Sequence, residues 1–217
     1  MRFRDRRDAG RQLADRLQVL ALEEPIVLAL PRGGVPVGAE VARALRAPMD
    51  VFVARKLTSR THPELALGAI AEGSDRIVAS SAALDLHVSA VEIARLAAVE
   101  RRAAAERVRR YRADRPLPPL DGCDAIVVDD GLATGTTAEA ALIELRRRHP
   151  RRLVLGAPVC AAATARRLQR LADDLVCVQV AATFGSVGEW YDDFSQLTDD
   201  DVVGALADVQ RGVGPAR

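Results

Sequence analysis

Val127-Val-Asp-Asp-Gly-Leu-Ala-Thr-Gly-Thr-Thr137 is the stretch on which the fold turns. The aliphatic run at 125–128 predicts a buried strand that delivers Asp129 and Asp130 at its carboxyl end. A loop of Gly and Thr follows, and a helix is predicted from about Thr137 to His149. A helix start offers unpaired N–H groups and the positive end of the dipole. Gly135 lets backbone amides approach an anion closely, and Thr134, Thr136 and Thr137 add hydroxyl donors. Together these make a phosphate cradle. Acids placed ahead of it can accept hydrogen bonds from a vicinal diol, so a sugar phosphate satisfies both ends. The structural alternative is an Asp-Asp-Gly turn followed by a Thr136–Glu139 capping box.

Other phosphate motifs fail here. A Walker A loop needs Lys before its Ser/Thr, and a dinucleotide fingerprint needs three glycines after the strand with its acid well downstream. A hydrolase reading of the acids is disfavoured by spacing, because such sites use an alternating Asp pair and Asp129 and Asp130 are adjacent.

Working outward, residues 26–30 read as a strand, followed by the turn Pro31-Arg-Gly-Gly34 and a helix at 35–45. Residues 51–54 read as a second strand, and 66–72 with 76–79 flank Gly73-Ser74 as a hairpin. Ser89 opens a helix to about Arg112, with Glu92 in capping-box spacing. Residues 153–155 and 175–180 give further strands, with a helix at 162–172 between them. An amphipathic helix from about Asp8 carries Leu13, Leu17 and Leu20 on one side. This alternation predicts an α/β fold: a doubly wound, mainly parallel sheet flanked by helices, with a β-hairpin lid and a small hood. The expected organisation is one domain over 1–217, the lid at 57–79 and the hood or tail at 181–217.

The 217 residues carry Lys+Arg 31 against Asp+Glu 30, a net charge of +1, so no basic footprint spreads over the surface and no nucleic-acid partner is expected. Hydrophobic residues at 49% supply a core, and aromatics at 3% leave it to aliphatic side chains. Cys123, Cys160 and Cys177 are too irregularly spaced for a disulfide framework or a zinc site and read as reduced thiols. No apolar run is long enough to cross a membrane, and the expected location is the cytoplasm. His62, His87 and His149 show no metal spacing and read as surface residues. The arginines at 95, 101, 102, 107, 109, 110 and 112 are interleaved with Glu92, Glu100 and Glu106 and read chiefly as a solvated helix face, with an oligomer or RNA contact as the alternatives.

The 127–137 segment resembles the phosphoribosyl-diphosphate signature of the type I phosphoribosyltransferases. Pro31-Arg-Gly-Gly34, Arg55-Lys-Leu57, Pro63-Glu-Leu-Ala-Leu-Gly-Ala-Ile70 and Phe184-Gly-Ser-Val-Gly188 extend the similarity over most of the chain, from about Phe3 to Leu206. The resemblance implies that Asp129 and Asp130 hold the ribose 2- and 3-hydroxyls and that Ala133, Thr134, Gly135, Thr136 and Thr137 wrap the 5-phosphate. It implies that Arg32, Gly33 and Gly34 meet the diphosphate, with a cis peptide at or next to Arg32, and that Arg55 and Lys56 lie near the same group. Residue reading agrees: Arg32, Arg55 and Lys56 follow separate strands, which a parallel sheet brings to one edge.

The implied reaction displaces diphosphate from an anomeric carbon by a nitrogen nucleophile, a nucleobase being the expected acceptor. Mg²⁺ would arrive with the diphosphate, without a metal cage built by the protein. Arg32 and Lys56 are the catalytic candidates toward the leaving group, and Glu64 and Glu72 the candidates for taking a proton. In the 6-oxopurine branch an acid stands where this chain has Ala133, which weakens a hypoxanthine or guanine assignment. Phe184 is the stacking candidate for a planar acceptor, whereas Trp190 and Tyr191 read as a patch anchoring the C-terminal stretch. A homodimer is plausible for such a domain. The competing function is a non-catalytic regulator that binds the same metabolite.

Overall fold

The computed structural model describes residues 2–58, 66–80, 83, 86–113 and 115–212. Five strands form one parallel sheet: β1 (Ile26–Ala29), β2 (Met49–Val51), β6 (Asp124–Val128), β7 (Arg152–Ala161) and β8 (Asp174–Ala181), in the order β2-β1-β6-β7-β8. A smaller antiparallel sheet, β3 (Ala54–Thr58), β4 (Ala66–Ala71) and β5 (Val78–Ala79), stands beside it. Helices α1 (Arg6–Leu17), α2 (Gly34–Leu45), α3 (Ala90–Arg112), α4 (Thr136–Arg146), α5 (Ala162–Leu168) and α6 (Asp199–Gly212) complete the described elements, with a 3-10 turn at Val187–Trp190.

The two-residue period of the strands sorts the core into two layers. Val27, Ala29, Ile126, Val128 and Val154 face one side with Leu13 and Leu17 of α1, Val37 and Val41 of α2, and Val202, Leu206 and Val209 of α6. Leu28, Val127, Leu153 and Leu155 face the other, against Ala138, Leu142 and Leu145 of α4 and Leu168 of α5. Helices on both faces are what a parallel sheet needs to bury all of its strands. The expected α/β class and doubly wound sheet are therefore present. Cys123, Cys160 and Cys177 are unpaired.

Three boundaries differ from the sequence reading. The run at 51–54 is no single strand: Val51 ends β2, and Ala54 starts β3 in the other sheet. Phe52 donates its amide to the Ala29 carbonyl at 3.0 Å, whereas the Val53 carbonyl accepts from the Glu72 amide at 2.8 Å. Apolar composition stays continuous through the hand-over, so it hides the break. The first helix starts at Arg6 because Asp5 caps it, its carboxylate accepting from the Asp8 amide at 2.7 Å. The stretch expected as hood divides: α6 packs into the core beside α2, and the cover is made by residues near 184–195 together with the N-terminal segment.

That cover joins the segment at Phe3 to residues 190–192. Phe3 bridges Tyr191 in parallel fashion, donating to the Trp190 carbonyl and accepting from the Asp192 amide, each at 2.8 Å. The Phe3 and Tyr191 rings lie 5.5 Å apart, and both are fully buried.

Leu13→Ala should test whether α1 is integral to this core. Removing its buried side chain is expected to cost about 2–5 kcal/mol, read from urea unfolding as a lowered midpoint with the slope unchanged.

Candidate functional site

From β1 the chain steps outward to β2, and from β6 it steps the opposite way to β7. The loops leaving the carboxyl ends of these adjacent strands therefore part, and such a switch point is where open α/β sheets bind ligands. A cavity of about 430 Å³ opens there, lined by Asp129, Asp130, Ala133, Thr134, Gly135 and Thr137 from the β6–α4 loop, by Pro31 after β1, and by Arg55 and Lys56 of β3.

The Gly/Thr loop expected to cradle a phosphate keeps its amides unengaged. Among the described residues no protein group accepts from the amides of 133–137. The loop is instead held through its other edge: Thr164 Oγ1 of α5 donates to the Ala133 carbonyl at 2.5 Å, and the Arg167 guanidinium donates to the Thr134 carbonyl and to the Glu139 carboxylate. Gly135 sits at φ +66°, and a Cβ there would fall 2.5 Å from the Thr164 methyl carbon. Only glycine suits that conformation and that approach. The capping-box alternative is not what forms, since α4 is capped by Gly135 without a side-chain bond. Thr136 is buried behind the loop, its hydroxyl donating to Thr134 Oγ1 at 3.2 Å, and does not line the cavity.

Asp129 and Asp130 stand together at the cavity wall. Asp129 Oδ1 accepts from the Asp130 amide at 2.9 Å, and Asp130 Oδ2 accepts from Arg6 Nε at 2.8 Å. Burial raises the Asp129 carboxyl well above the ordinary carboxylate range, and the charge of Asp130 adds to it. Burial raises Asp130 too, with the Arg6 hydrogen bond and charge pulling against it. Arg6 is fixed in turn: its guanidinium lies 3.8 Å from the Phe194 ring centroid and donates to the Ser195 carbonyl at 2.9 Å. Tyr191 donates its hydroxyl to the Asp130 carbonyl at 2.5 Å, so the joined segments reach the acidic pair directly.

The other sequence candidates divide. Lys56 lines the cavity and makes no ion pair with a described residue, whereas Arg55 Nε is bound to Glu100 Oε2 at 2.5 Å. Both lie within β3, not at the end of a strand of the large sheet. The Pro31–Arg32 peptide is cis, as the resemblance implied. The Arg32 side chain, however, is exposed and absent from the cavity wall. Gly33 and Gly34 serve close packing: a Cβ on Gly33 would lie 2.0 Å from an Asp130 carboxylate oxygen, and one on Gly34 would lie 2.4 Å from the Val128 carbonyl oxygen. Gly33 has an ordinary helical φ of −59°, so the unusual dihedral open to glycine is not used.

Two candidates are displaced. Glu72 is buried in a different cavity, paired with Arg112 at 2.5 Å and accepting from the Val53 amide at 2.9 Å. A carboxylate so engaged is structural. Phe184 stacks on Trp190 at 5.9 Å, outside the cavity wall, and Phe194 is the ring that lines it. Trp190 and Tyr191 form the expected anchoring patch. Glu64 and His62, with the rest of 59–65, lie outside the described residues. His87 and His149 are exposed.

Arg6, Glu100 and Arg107 were missed. Glu100 and Arg107 line the cavity from α3, so this helix does more than present a solvated face. Their seven-residue spacing, two helical turns, was a readable sign that they share a side.

Residues 6–194 match the profile of the phosphoribosyl transferase domain. The chain belongs to the phosphoribosyl transferase family. Two Mycobacterium tuberculosis proteins (strains CDC 1551 / Oshkosh and H37Rv), provisionally named phosphoribosyl transferases, are each 43% identical over 217 residues. That match covers 99% of this chain, which spans about half (48%) of those relatives' length. The crystal structure of TT1426 from Thermus thermophilus is similar at a TM-score of 0.79 and 43% identity, covering 96% of this chain and 99% of that one. The AQ2163 protein from Aquifex aeolicus shares the fold at a TM-score of 0.52 and 15% identity, covering 84% of this chain and 78% of that one. In this phosphoribosyl transferase domain the β6–α4 loop occupies the sheet's switch point.

Arg6→Gln should raise the midpoint at which the Asp129–Asp130 pair loses its protons, because the charge that favours the ionised form is gone. Carboxyl-carbon NMR titration reads this directly, and unchanged midpoints would remove Arg6 from the electrostatics of the pair.

Proposed function

We propose that the cavity binds 5-phosphoribosyl 1-diphosphate and that the protein transfers the phosphoribosyl group to a nitrogenous acceptor, a nucleobase in our reading. The observation that carries this is the juxtaposition of two adjacent acids and a run of unengaged amides on one wall. An anion seat alone would suit many phosphates. The neighbouring carboxylates add acceptors for a diol.

In this reading the amides of 134–137 and the Thr137 hydroxyl hold the 5-phosphate at the start of α4, while Asp129 and Asp130 accept hydrogen bonds from the ribose hydroxyls. The acceptor's nitrogen lone pair forms a bond to the anomeric carbon as the carbon–oxygen bond to diphosphate breaks, the electron pair leaving with that oxygen. Negative charge grows on the departing group, and in this reading Lys56 meets it, which its position on the wall without an ion pair among the described residues supports. Arg55 already spends its charge on Glu100 and positions β3 against α3. With Arg32 outside the wall, Lys56 carries more of the leaving-group role than the sequence assigned to it.

Magnesium enters as part of the substrate, bound to diphosphate and sugar oxygens. Among the described residues no group of three or more His, Cys, Asp or Glu side chains is arranged to hold a metal. Two raised carboxyl groups fit that division, because a substrate-borne cation and two hydroxyl donors both favour their ionised forms. The lid is proposed at 57–79, where it would exclude water while the bond changes.

The double substitution Asp129→Asn with Asp130→Asn should weaken Mg²⁺-dependent binding of phosphoribosyl diphosphate by roughly 100-fold or more, with far-ultraviolet circular dichroism unchanged. Calorimetry giving wild-type affinity would end the diol assignment. Lys56→Ala should slow diphosphate release across a panel of purines, pyrimidines and other ring amines while leaving ribose 5-phosphate affinity intact. Equal losses in both assays would move Lys56 away from the leaving group. The same panel names the acceptor, and substrate binding without diphosphate release from any panel member would favour the regulator.

A further inference from the structure

A second cavity, of about 650 Å³, lies away from the switch point, between one stripe of α3 and the β4–β5 turn. Arg101, Ala104, Ala105, Val108, Arg109 and Arg112 line it at helical spacing, with Glu72, Gly73, Ser74 and Asp75 opposite and Arg148, beyond α4, at the side. Paired alanines between arginines leave room at the centre and charge at the rim.

Charge and hydrogen bonding are both unbalanced here. Four guanidinium groups face two carboxylates. Glu72 is matched by Arg112 Nη2 and by the Val53 amide. Arg101 gives its donors to the Ser74 and Asp75 carbonyls, which are neutral and leave its positive charge uncancelled. Among the described residues, two buried side-chain polar atoms have no hydrogen-bond partner, Arg112 Nε and Arg148 Nε, and both belong to residues on this cavity. Arg112 is only 5% exposed at its side chain. Arg148 reaches across to the turn, its Nη2 lying 3.2 Å from where a Cβ on Gly73 would stand. A buried N–H of a cation without an acceptor costs free energy, and protein interiors keep few of them. Two at one cavity, under a surplus of positive charge, define an acceptor that the protein does not supply.

We propose that this cavity is a second anion site, one that binds a phosphate group through Arg112, Arg148 and Arg109. The phosphate could be free or carried on a small organic molecule, since both present the same oxygens to guanidinium donors. The site connects to the first through few bonds. Arg112 holds Glu72, Glu72 holds the Val53 amide, and Ala54, Arg55 and Lys56 follow in β3. An anion that draws on Arg112 therefore acts on the strand that carries Lys56.

Amide NMR on the full chain locates binding without depending on activity. Titration with inorganic phosphate is expected to shift the Gly73, Ser74 and Ala105 resonances as one group, and those of Gly135 and Thr137 as another with its own midpoint. The substitutions Arg109→Gln and Arg148→Gln together should weaken the Gly73 group by roughly tenfold or more and leave the Gly135 group unchanged. Repeating the titration with ribose 5-phosphate separates the sources: a tighter midpoint at Gly73 identifies an organic phosphate, an equal one the free ion. No shift at Gly73 and Ser74, or shifts that survive the double substitution, would overturn the second site while leaving the first untouched. Loss of the Gly135 group alone would count against the first site only.

Discussion

Two carboxyl groups on consecutive residues, drawn out of water at the end of a central strand, are costly to place, and much of the surrounding structure answers that cost. The Asp130 amide turns back to Asp129, Arg6 reaches over from α1 to Asp130, and Tyr191 fixes the Asp130 carbonyl. Gly33 lets the neighbouring turn approach the same carboxylate. Burial still lifts both groups above their ordinary range, so the pair is held short of full satisfaction. Carboxyl groups perturbed in this way gather at functional sites more often than elsewhere.

The Gly/Thr loop beside the pair is supported in a different way. The carbonyls of Ala133 and Thr134 are occupied by Thr164 and Arg167, while the amides of 133–137 have no acceptor among the described residues. Over 133–137 the loop is therefore held through its backbone acceptors, and its backbone donors are left unused. Such one-sided bracing fixes this stretch of the loop without using its N–H groups.

Local chemistry was legible in the sequence, and long-range assembly was not. The strand-acid-acid-Gly/Thr-helix order pointed to the central loop and the parallel sheet, because each depends on neighbours within a dozen residues. The site of Glu72 was misread because its partner Arg112 comes from the far end of a helix that composition presents as solvated. Phe184 and Phe194 are similar as letters, and only the fold of the 187–190 turn decides which ring meets the cavity. Arg6 left no signal at all, since its role depends on Phe3 being bridged to Tyr191. The break between β2 and β3 was hidden for a related reason: Val51, Phe52 and Val53 are all buried, while the backbone bonds of Phe52 and Val53 go to two different sheets.

The interlock of the two chain regions has a consequence for the order in which the molecule can be completed. On the ribosome, Arg6 is translated well ahead of Phe194 and Ser195, which seat it, and the whole parallel sheet lies between them. A nascent chain long enough to form the sheet thus carries Arg6 and the acids without the two residues that hold the guanidinium in place. The seat of Arg6 is completed only after every strand of the parallel sheet has been made, with α6 still to follow.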